Sequence, residues 1–443
     1  MLAAVAYTML ARERTRLART WTTPNCHRLA TVATKRHCPV RIGGNHACLF
    51  PASACPVSPT VPSATFRFLV FRWRPIAAVL LFAMVFGRPV AADSPDQAST
   101  QEQTWQIFAG TGKAQGDSAD QPSSPKSVCL PNVYGVEVAA DAIYLSTIDD
   151  HSIWKMDLAG TKIERFAGTG QAGLSGDGGP ALQARFRAPH EIRADRNGDL
   201  YVADTRNHCI RKIDGRTGII QTIGGDGVAG SRGDGGPASQ ARFDQPHSIV
   251  LDGQGGLLVA DTKNHRLRRI DLKTGTVATV AGDGKGKLPV DGALANEVSV
   301  FGPRSLAIDA ESIWLVLREG NSVWRIDRSA GTIHRVAGTG KQGHSGDGGH
   351  PLQATFRGPK GIAVDSQGAL LVVDTENQAL RRVDRRKNVI ETLDTGFQLK
   401  RPHGTAVRRG TDADVYFLAD SENHRLLAAE RKHREGDRAD QPN

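Results

Sequence analysis

A unit of 56 to 58 residues that repeats along most of the chain limits its fold more than any other feature. Each unit holds four short apolar runs separated by polar and glycine-rich connections, as residues 189–243 illustrate. The proline that opens the unit returns at intervals of 58, 57, 57, 56 and 43 residues, at Pro131, Pro189, Pro246, Pro303, Pro359 and Pro402. Repeats of this length are typical of propellers and solenoids. The runs have the length and alternation of β-strands, so each unit is predicted to form one four-stranded blade.

The two ends of the repeat region are incomplete in complementary ways. Residues 105–112 match only the fourth run of a unit, whereas the last unit ends near residue 429 after its third run. Pairing of these two fragments would complete one blade and close a ring, which removes the open edges of an unclosed stack. The sequence therefore predicts an all-β fold: a six-bladed β-propeller of four-stranded blades over residues 105–429, closed by an N-terminal strand.

The segments outside the repeats differ from them in composition. Residues 1–92 carry a net charge of +11 and residues 93–443 carry −1, so the positive charge of the whole chain belongs to its N-terminal part. Residues 1–65 show no periodicity and are interpreted as a non-structural or mis-assigned extension. Residues 66–92 combine arginines, an apolar run and small residues before Asp93, which is typical of a secretory signal peptide. Residues 93–104 are interpreted as a linker and residues 430–443 as a disordered polar tail.

These outer segments predict the compartment and limit the partners. The signal peptide predicts a periplasmic or secreted protein that meets a membrane only through that segment. Nucleic acid is not an expected partner, because the repeat region has no excess positive charge to attract phosphates. The repeat region contains two cysteines, Cys129 and Cys209, so a disulfide is possible there and a disulfide-based scaffold is not.

Two motifs recur inside the repeats and carry a family resemblance. Asp-x-x-Asn-His occupies residues 204–208, 261–265 and 420–424, with glutamine as the last residue in 374–378, and Gly-Asp-Gly-Gly occupies residues 176–179, 233–236 and 346–349. With these motifs the chain resembles the NHL repeat over residues 105–429, which implies a six-bladed β-propeller. The resemblance implies no single activity, since similar proteins include amidating lyases, lactonase-like enzymes, RNA-binding propellers and sensor domains. Repeats one and four depart from the motif, with Thr147 and Leu317 in place of the aspartate.

The recurring polar residues are interpreted as structural. Short Asp and Asn side chains at a hairpin turn can bond nearby backbone groups. The histidines that recur at this turn are expected to pack and hydrogen-bond within their own blades; they are His151, His208, His265 and His424. The arginines of the third strands, such as Arg268 and Arg381, are expected to form solvated faces. The Gly-Asp-Gly-Gly loops are interpreted as tight turns, with a calcium site as the alternative.

The residue after each opening proline is the candidate for function, because the innermost strands of a propeller begin at the mouth of its central channel. These ligand-binding candidates are Asn132, His190, His247, Arg304, Lys360 and His403. Three of them, His190, His247 and His403, could bind zinc as neutral imidazoles. Their Pro-His segments are similar to those of the peptidyl-hydroxyglycine amidating lyase, although Arg318 stands where that lyase would have another histidine. Arg304 and Lys360 instead favour an acidic ligand.

Two classes of function remain open at the level of sequence. The first is a binding or scaffold module that recognises a protein, a peptide, a glycan or an acidic small ligand at the channel mouth. The second is a metal-dependent lyase or hydrolase similar to the amidating lyase or to lactonase-like propellers. The sequence contains no Gly-x-Ser-x-Gly elbow, no phosphate-binding loop and no paired cysteine motif, so the binding module is the favoured prediction. No cofactor is certain, and zinc or calcium is possible.

Overall fold

The computed structural model describes residues 103–116 and 122–433. The predicted N-terminal extension and signal peptide lie outside the described residues, as do most of the linker and most of the tail. No helix within the described residues is long and apolar enough to cross a membrane.

The described chain is built from twenty-four strands in six four-stranded sheets. Blade one contains β2 (Val133–Val138), β3 (Ala142–Thr147), β4 (Ser152–Asp157) and β5 (Ile163–Ala167). Blade two contains β6 (Pro189–Ala194), β7 (Leu200–Asp204), β8 (Cys209–Ile213) and β9 (Ile220–Gly224). Blade three contains β10 (Pro246–Leu251), β11 (Gly256–Asp261), β12 (Arg266–Asp271) and β13 (Val277–Ala281).

The remaining three blades follow the same order. Blade four contains β14 (Pro303–Ile308), β15 (Ser312–Leu317), β16 (Ser322–Asp327) and β17 (Ile333–Ala337). Blade five contains β18 (Gly361–Val364), β19 (Leu370–Asp374), β20 (Ala379–Asp384) and β21 (Val389–Leu393). Blade six contains β22 (Thr405–Arg408), β23 (Ala413–Asp420), β24 (Arg425–Lys432) and, as its outermost strand, β1 (Trp105–Ala109).

The six blades form a closed ring. The innermost strands contact one another in the order β2, β6, β10, β14, β18 and β22, and β22 contacts β2 again. Strand β1 pairs antiparallel with β24, so the N-terminal strand completes the last blade. The six-bladed fold and its closure are therefore confirmed. Strand β24 extends to Lys432, three residues beyond the predicted end of the propeller, because its last residues pair with the start of β23.

The hydrophobic core consists of six wedges, one between each pair of neighbouring blades. Tyr144 and Ile153 of blade one, for example, pack against Phe186 and Val202 of blade two. The other clusters join the remaining neighbouring pairs in the same way. The second strands of blades one, two, three and five are buried along their whole length, because a neighbouring blade covers each face.

The Asp-x-x-Asn-His turn makes hydrogen bonds to the next blade and not only within its own blade. In blade two, Asp204 accepts a hydrogen bond from Asn207 (2.8 Å), which also donates to the Gly173 carbonyl (2.6 Å). His208 lies in the left-handed region (φ 54°), and its Nδ1 accepts from the backbone N–H of Gln245 at the entrance to blade three (3.2 Å). His151, His265 and His424 make the corresponding bond to the next blade. The prediction that these histidines bond within their own blades was wrong.

The third-strand arginines are also placed differently from the prediction. Arg211, Arg268 and Arg381 are fully buried instead of solvated. Arg268 donates to Asp234 of the Gly-Asp-Gly-Gly loop (2.6 Å) and lies 3.6 Å from the buried Asp261. Its guanidinium also stacks over the Phe243 ring, 4.7 Å from the ring centroid. The Gly-Asp-Gly-Gly loop folds over the blade and covers the arginine, which sequence alternation alone did not reveal.

Candidate functional site: the channel mouth

The innermost strands bring five of the six candidate residues around one cavity. His190, His247, Arg304, Lys360 and His403 line a cavity of about 250 Å³ at the start of these strands. A smaller adjoining cavity of about 20 Å³ has the same five residues in its wall, together with Glu191 and Gly404. Thr262 and Lys263 of a mouth-side turn also line the larger cavity, so the turns between second and third strands border the mouth.

Asn132 does not line these cavities, and Tyr134 takes its place in blade one. Asn132 has φ 52° and its backbone N–H donates to His424, as the residue before the opening proline does in other blades. Val133 pairs with Thr147 at the position where Pro189 pairs with Asp204 in blade two. The opening position of blade one is therefore Val133, and Pro131 lies two residues too early to mark it.

Aromatic rings pack against one another across one side of the mouth. The Tyr134 ring stacks on the His403 ring with centroids 3.7 Å apart, and it meets the edge of His190 at 4.8 Å. His190 in turn meets His247 edge to face at 4.6 Å. Tyr134 thus lies between two of the three histidines that were considered as zinc ligands.

Hydrogen bonds fix the proton positions of two histidines. His190 Nδ1 donates to the Ala188 carbonyl (2.8 Å), and His403 Nδ1 donates to the Arg401 carbonyl (2.8 Å). Both Nε2 atoms are then acceptors, which is the form that ligates metals. His403 Nε2, however, accepts a hydrogen bond from Lys360 (3.2 Å). No group of three metal-binding side chains is found among the described residues, and zinc binding, which stays a prediction, would require this bond to break.

His190 and His403 are neutral, and the positive charge beside them comes from other side chains. Burial, followed by the charge of Arg304, lowers the pKa of His190 well below its usual range. Burial and the charges of Lys360 and Arg304 do the same to the pKa of His403. Arg304 and Lys360 are therefore the charged groups at the centre of the mouth. Farther out, the cavity is lined by Lys263, Arg318 and Glu319.

Lys360 and Arg304 differ in their partners. Lys360 forms an ion pair with Glu376 (2.9 Å), and burial together with the charge of Arg304 lowers the pKa of Lys360 to about 7. Arg304 is 7% exposed, and burial lowers its pKa to about 10, so it stays charged at neutral pH. Its guanidinium has no hydrogen bond or ion pair with any residue that the structure describes. The mouth thus presents a largely buried cation that has no ion pair among the described residues and whose nitrogen atoms are not fully enclosed.

Below the mouth, one carboxylate links three blades. Glu191 of blade two accepts hydrogen bonds from Ser248 of blade three and from Ser305 of blade four (2.6 Å). It also pairs with Arg193 (3.0 Å). Glu191 thus makes its hydrogen bonds and ion pair with groups other than Arg304, although its charge acts to raise the pKa of Arg304.

Comparisons with known proteins agree with this architecture. The NHL repeat family matches residues 186–213 and 243–270, and the Teneurin NHL domain family matches residues 331–409. NHL repeat-containing protein 2 of Gallus gallus is 25% identical over 285 residues, which is 55% of this chain and 38% of that protein. The Bos taurus protein of the same name is 26% identical, over 55% of this chain and 39% of that protein. The chain thus spans about two fifths of these curated relatives.

Solved structures show the same fold at low sequence identity. A protein of unknown function from Bacteroides thetaiotaomicron superposes with a TM-score of 0.53 at 14% identity, covering 74% of this chain and 76% of that one. An auxiliary nutrient binding protein from the same organism gives a TM-score of 0.53 at 11% identity, with the same coverage. At these identities the likeness shows the fold alone. The matched repeats and the closed ring of six sheets show that this chain contains NHL repeats and folds as a six-bladed β-propeller.

Proposed function

We propose that this propeller is a ligand-binding module that captures a carboxylate of its ligand at the channel mouth. The observation that carries the proposal is the unpaired Arg304 guanidinium in the wall of the mouth cavity. A buried cation without a partner costs free energy, and an anion that binds beside it offsets that cost. Arginine also has the fork geometry that holds a carboxylate through two parallel hydrogen bonds.

Lys360 supports the same ligand chemistry from the neighbouring blade. Its ammonium lies in the wall of both mouth cavities and holds part of its charge at neutral pH, because its pKa is about 7. The His190 Nε2 atom adds an acceptor, which suits a hydroxyl or amide hydrogen on the same ligand. A cavity of about 250 Å³ admits the acidic end of a ligand and leaves the rest of the ligand on the rim.

Calorimetric titration with succinate tests this function. Wild-type protein is expected to bind succinate saturably at pH 6.5, and Arg304→Ala is expected to weaken binding about ten- to a hundredfold, the effect of one lost charge-assisted hydrogen bond. Arg216→Ala is the matched control, because Arg216 is exposed in the turn before β9 and far from the mouth-side turns. Equal succinate affinity of wild type and Arg304→Ala would contradict the proposal.

The stability of the Arg304 variant provides a second readout. Because no described residue pairs with Arg304, Arg304→Met is expected to leave the melting temperature unchanged or to raise it. A marked fall in melting temperature would show that Arg304 serves the fold rather than a ligand.

We also propose that the module works outside the cytoplasm. The support is the sequence of residues 66–92, which lie outside the described residues. N-terminal sequencing of the exported protein is expected to find a start near Asp93.

A further inference from the structure

The exposed large apolar side chains of the described residues are concentrated in one part of the molecule. All six lie in the three successive connections that lead into blades two, three and four; they are Leu174, Leu182, Val228, Leu288, Val290 and Leu294. Side chains of this kind scattered singly over a surface need no explanation, but a concentration beside a binding cavity marks an interaction surface.

Three of these residues lie on the mouth side, and we name them the apolar rim: Leu174, Val228 and Leu288. Leu174 follows Gly173, whose carbonyl accepts from Asn207 in the mouth-side turn of blade two. A Cβ atom at Gly227 would lie 3.0 Å from Leu174 Cδ2, so Leu174 reaches the connection that carries Val228.

Leu288 joins the apolar rim to the mouth itself. A Cβ atom at Gly320 would lie 2.8 Å from Leu288 Cδ2, so Leu288 covers the turn at Gly320. The two residues before this glycine, Arg318 and Glu319, line the mouth cavity. Leu288 therefore lies beside the turn whose residues form this part of the cavity wall.

The opposite part of the rim has a different character. On blades five and six, Arg401 pairs with Glu376 (3.0 Å) and with Glu422 (3.1 Å), and Lys400 pairs with Glu422 (3.7 Å). The mouth is thus cationic at its centre and ion-paired toward blades five and six, whereas toward blades two to four the charged residues Lys263, Arg318 and Glu319 are followed by the apolar rim. A ligand that complements it carries an acidic group beside apolar groups.

We propose that the mouth face binds an extended peptide segment of a partner protein, with a carboxylate at Arg304 and apolar side chains on the apolar rim. The inference rests on the proposed carboxylate site and names the class of ligand. The apolar side chains come from separate connections with polar backbone between them, so they do not form the continuous groove that one acyl chain needs. An extended peptide presents side chains on one face about every 7 Å and can contact such separate positions.

Selection from a phage-displayed library of random heptapeptides with free C-termini, against the immobilised full chain, tests the proposal. Selected peptides are expected to combine a carboxylate, from Asp, Glu or the C-terminus, with two or more large apolar residues. One selected peptide, labelled with fluorescein, is then measured by anisotropy. Leu288→Ser is expected to lower the affinity for this peptide about three- to tenfold, the effect of losing part of a buried leucine contact.

Leu182→Ser is the matched control. Leu182 is as exposed as the rim residues, but it lies in the 3-10 helix Ala181–Gln183, which packs beside β5, the outermost strand of blade one. The control is expected to bind the peptide as wild type does, and Leu288→Ser is expected to bind succinate as wild type does.

Three results would overturn the inference: a library that yields no enriched peptide, enriched peptides without apolar residues, or peptide affinity unchanged in both Leu288→Ser and Leu174→Ser. If no peptide is enriched and palmitate binds, the occupant is a lipid and the inference is wrong. These failures are separate from a failure of the carboxylate site, which would appear as unchanged succinate binding in Arg304→Ala.

Discussion

Removal of the buried Arg268 guanidinium should destabilise the propeller strongly and in a pH-dependent way. Arg268→Met keeps the length of the side chain and its packing on Phe243 but removes the charge. The lost bonds include those to Asp234 (2.6 Å) and to the Arg242 carbonyl (2.6 Å). The buried Asp261, 3.6 Å away, then keeps its hydrogen bonds from Asn264 and from the Asp244 backbone but has no cation.

The magnitude follows from the geometry of this pair. Two unit charges 3.6 Å apart attract by about 4–5 kcal/mol at an effective dielectric constant of ~20, and breaking a buried pair on one side costs about 3–5 kcal/mol. We therefore expect Arg268→Met to lower the free energy of unfolding by about 3–4 kcal/mol at pH 8. Arg232→Met is the control, because that side chain is 64% exposed and its pair with Asp226 is worth about 0–1 kcal/mol.

The pH dependence separates the charge effect from a loss of packing. Burial raises the pKa of Asp261 to about 7 against the opposing effects of its hydrogen bonds and of Arg268. A raised carboxyl pKa favours the native state at low pH, and that stability is lost as the pH rises through the native pKa. Removal of Arg268 raises the pKa of Asp261 further. The free energy of unfolding of the variant therefore continues to fall at pH values where that of the wild type has become constant. The difference in the free energy of unfolding between wild type and Arg268→Met is expected to be larger at pH 8 than at pH 5.

Guanidinium unfolding followed by circular dichroism at both pH values measures these quantities. If Arg268→Met lowers the free energy of unfolding no more than Arg232→Met does, the ion-pair argument is refuted. If the loss is large but the same at both pH values, it comes from packing on Phe243.

Three further outcomes are expected. Deletion of β1 (Trp105–Ala109) exposes the edge of β24, so thermal melts should lose cooperativity or end in aggregation, whereas deletion of residues 434–443 should leave the melt unchanged; equal melts would contradict ring closure by β1. Succinate affinity should fall from pH 6.5 to 8.5 as Lys360, whose pKa is about 7, loses its proton, and Lys360→Arg should remove this fall in calorimetric titrations. If purified protein contains zinc by elemental analysis, His190→Ala should abolish its retention, and retention in the variant would exclude the mouth as the zinc site.

The repeat period together with the complementary ends of the repeat region was sufficient to predict the fold, because the period defines one blade and the two end fragments complete the last blade. The same rule placed His190, His247, Arg304, Lys360 and His403 at the mouth, since the opening proline marks the start of each innermost strand. It failed in blade one. Pro131 is not the opening residue there, and counting back from Thr147 by the spacing that separates Pro303 from Leu317 would have selected Val133 and hence Tyr134.

The roles of the repeated histidines could not be predicted in the same way. A turn motif shows which residues lie at the turn, but the partner of His208 is the backbone of Gln245, in the next unit of the chain. Contacts between blades depend on how the ring closes, and the spacing inside one repeat contains no information on that. The unpaired state of Arg304 is likewise a property of the assembled mouth, in which carboxylates such as Glu191 are bound to other groups.

The burial of the third-strand arginines, in contrast, did leave a signal in the sequence. In blades two, three and five a turn aspartate occurs together with a third-strand arginine seven residues later, as in Asp204 and Arg211. In blades one and four the aspartate is absent, and tryptophan replaces the arginine at the same spacing. Trp154 there donates to Thr147 (3.0 Å), and Trp324 donates to Ser322 (2.9 Å).

Loss of both partners together agrees with the cost of an unpaired buried charge, because the turn aspartate alone would be left without a cation. Blade six follows the same rule by another route. It keeps Asp420 but has Leu427 at the arginine position, and the cation comes from Arg425 on the same strand, 2.8 Å from the carboxylate. All six blades thus satisfy every buried charge at this position or remove it. Against that background, the unpaired Arg304 at the centre of the same molecule is the exception, and this contrast is the reason why we propose a carboxylate ligand for it.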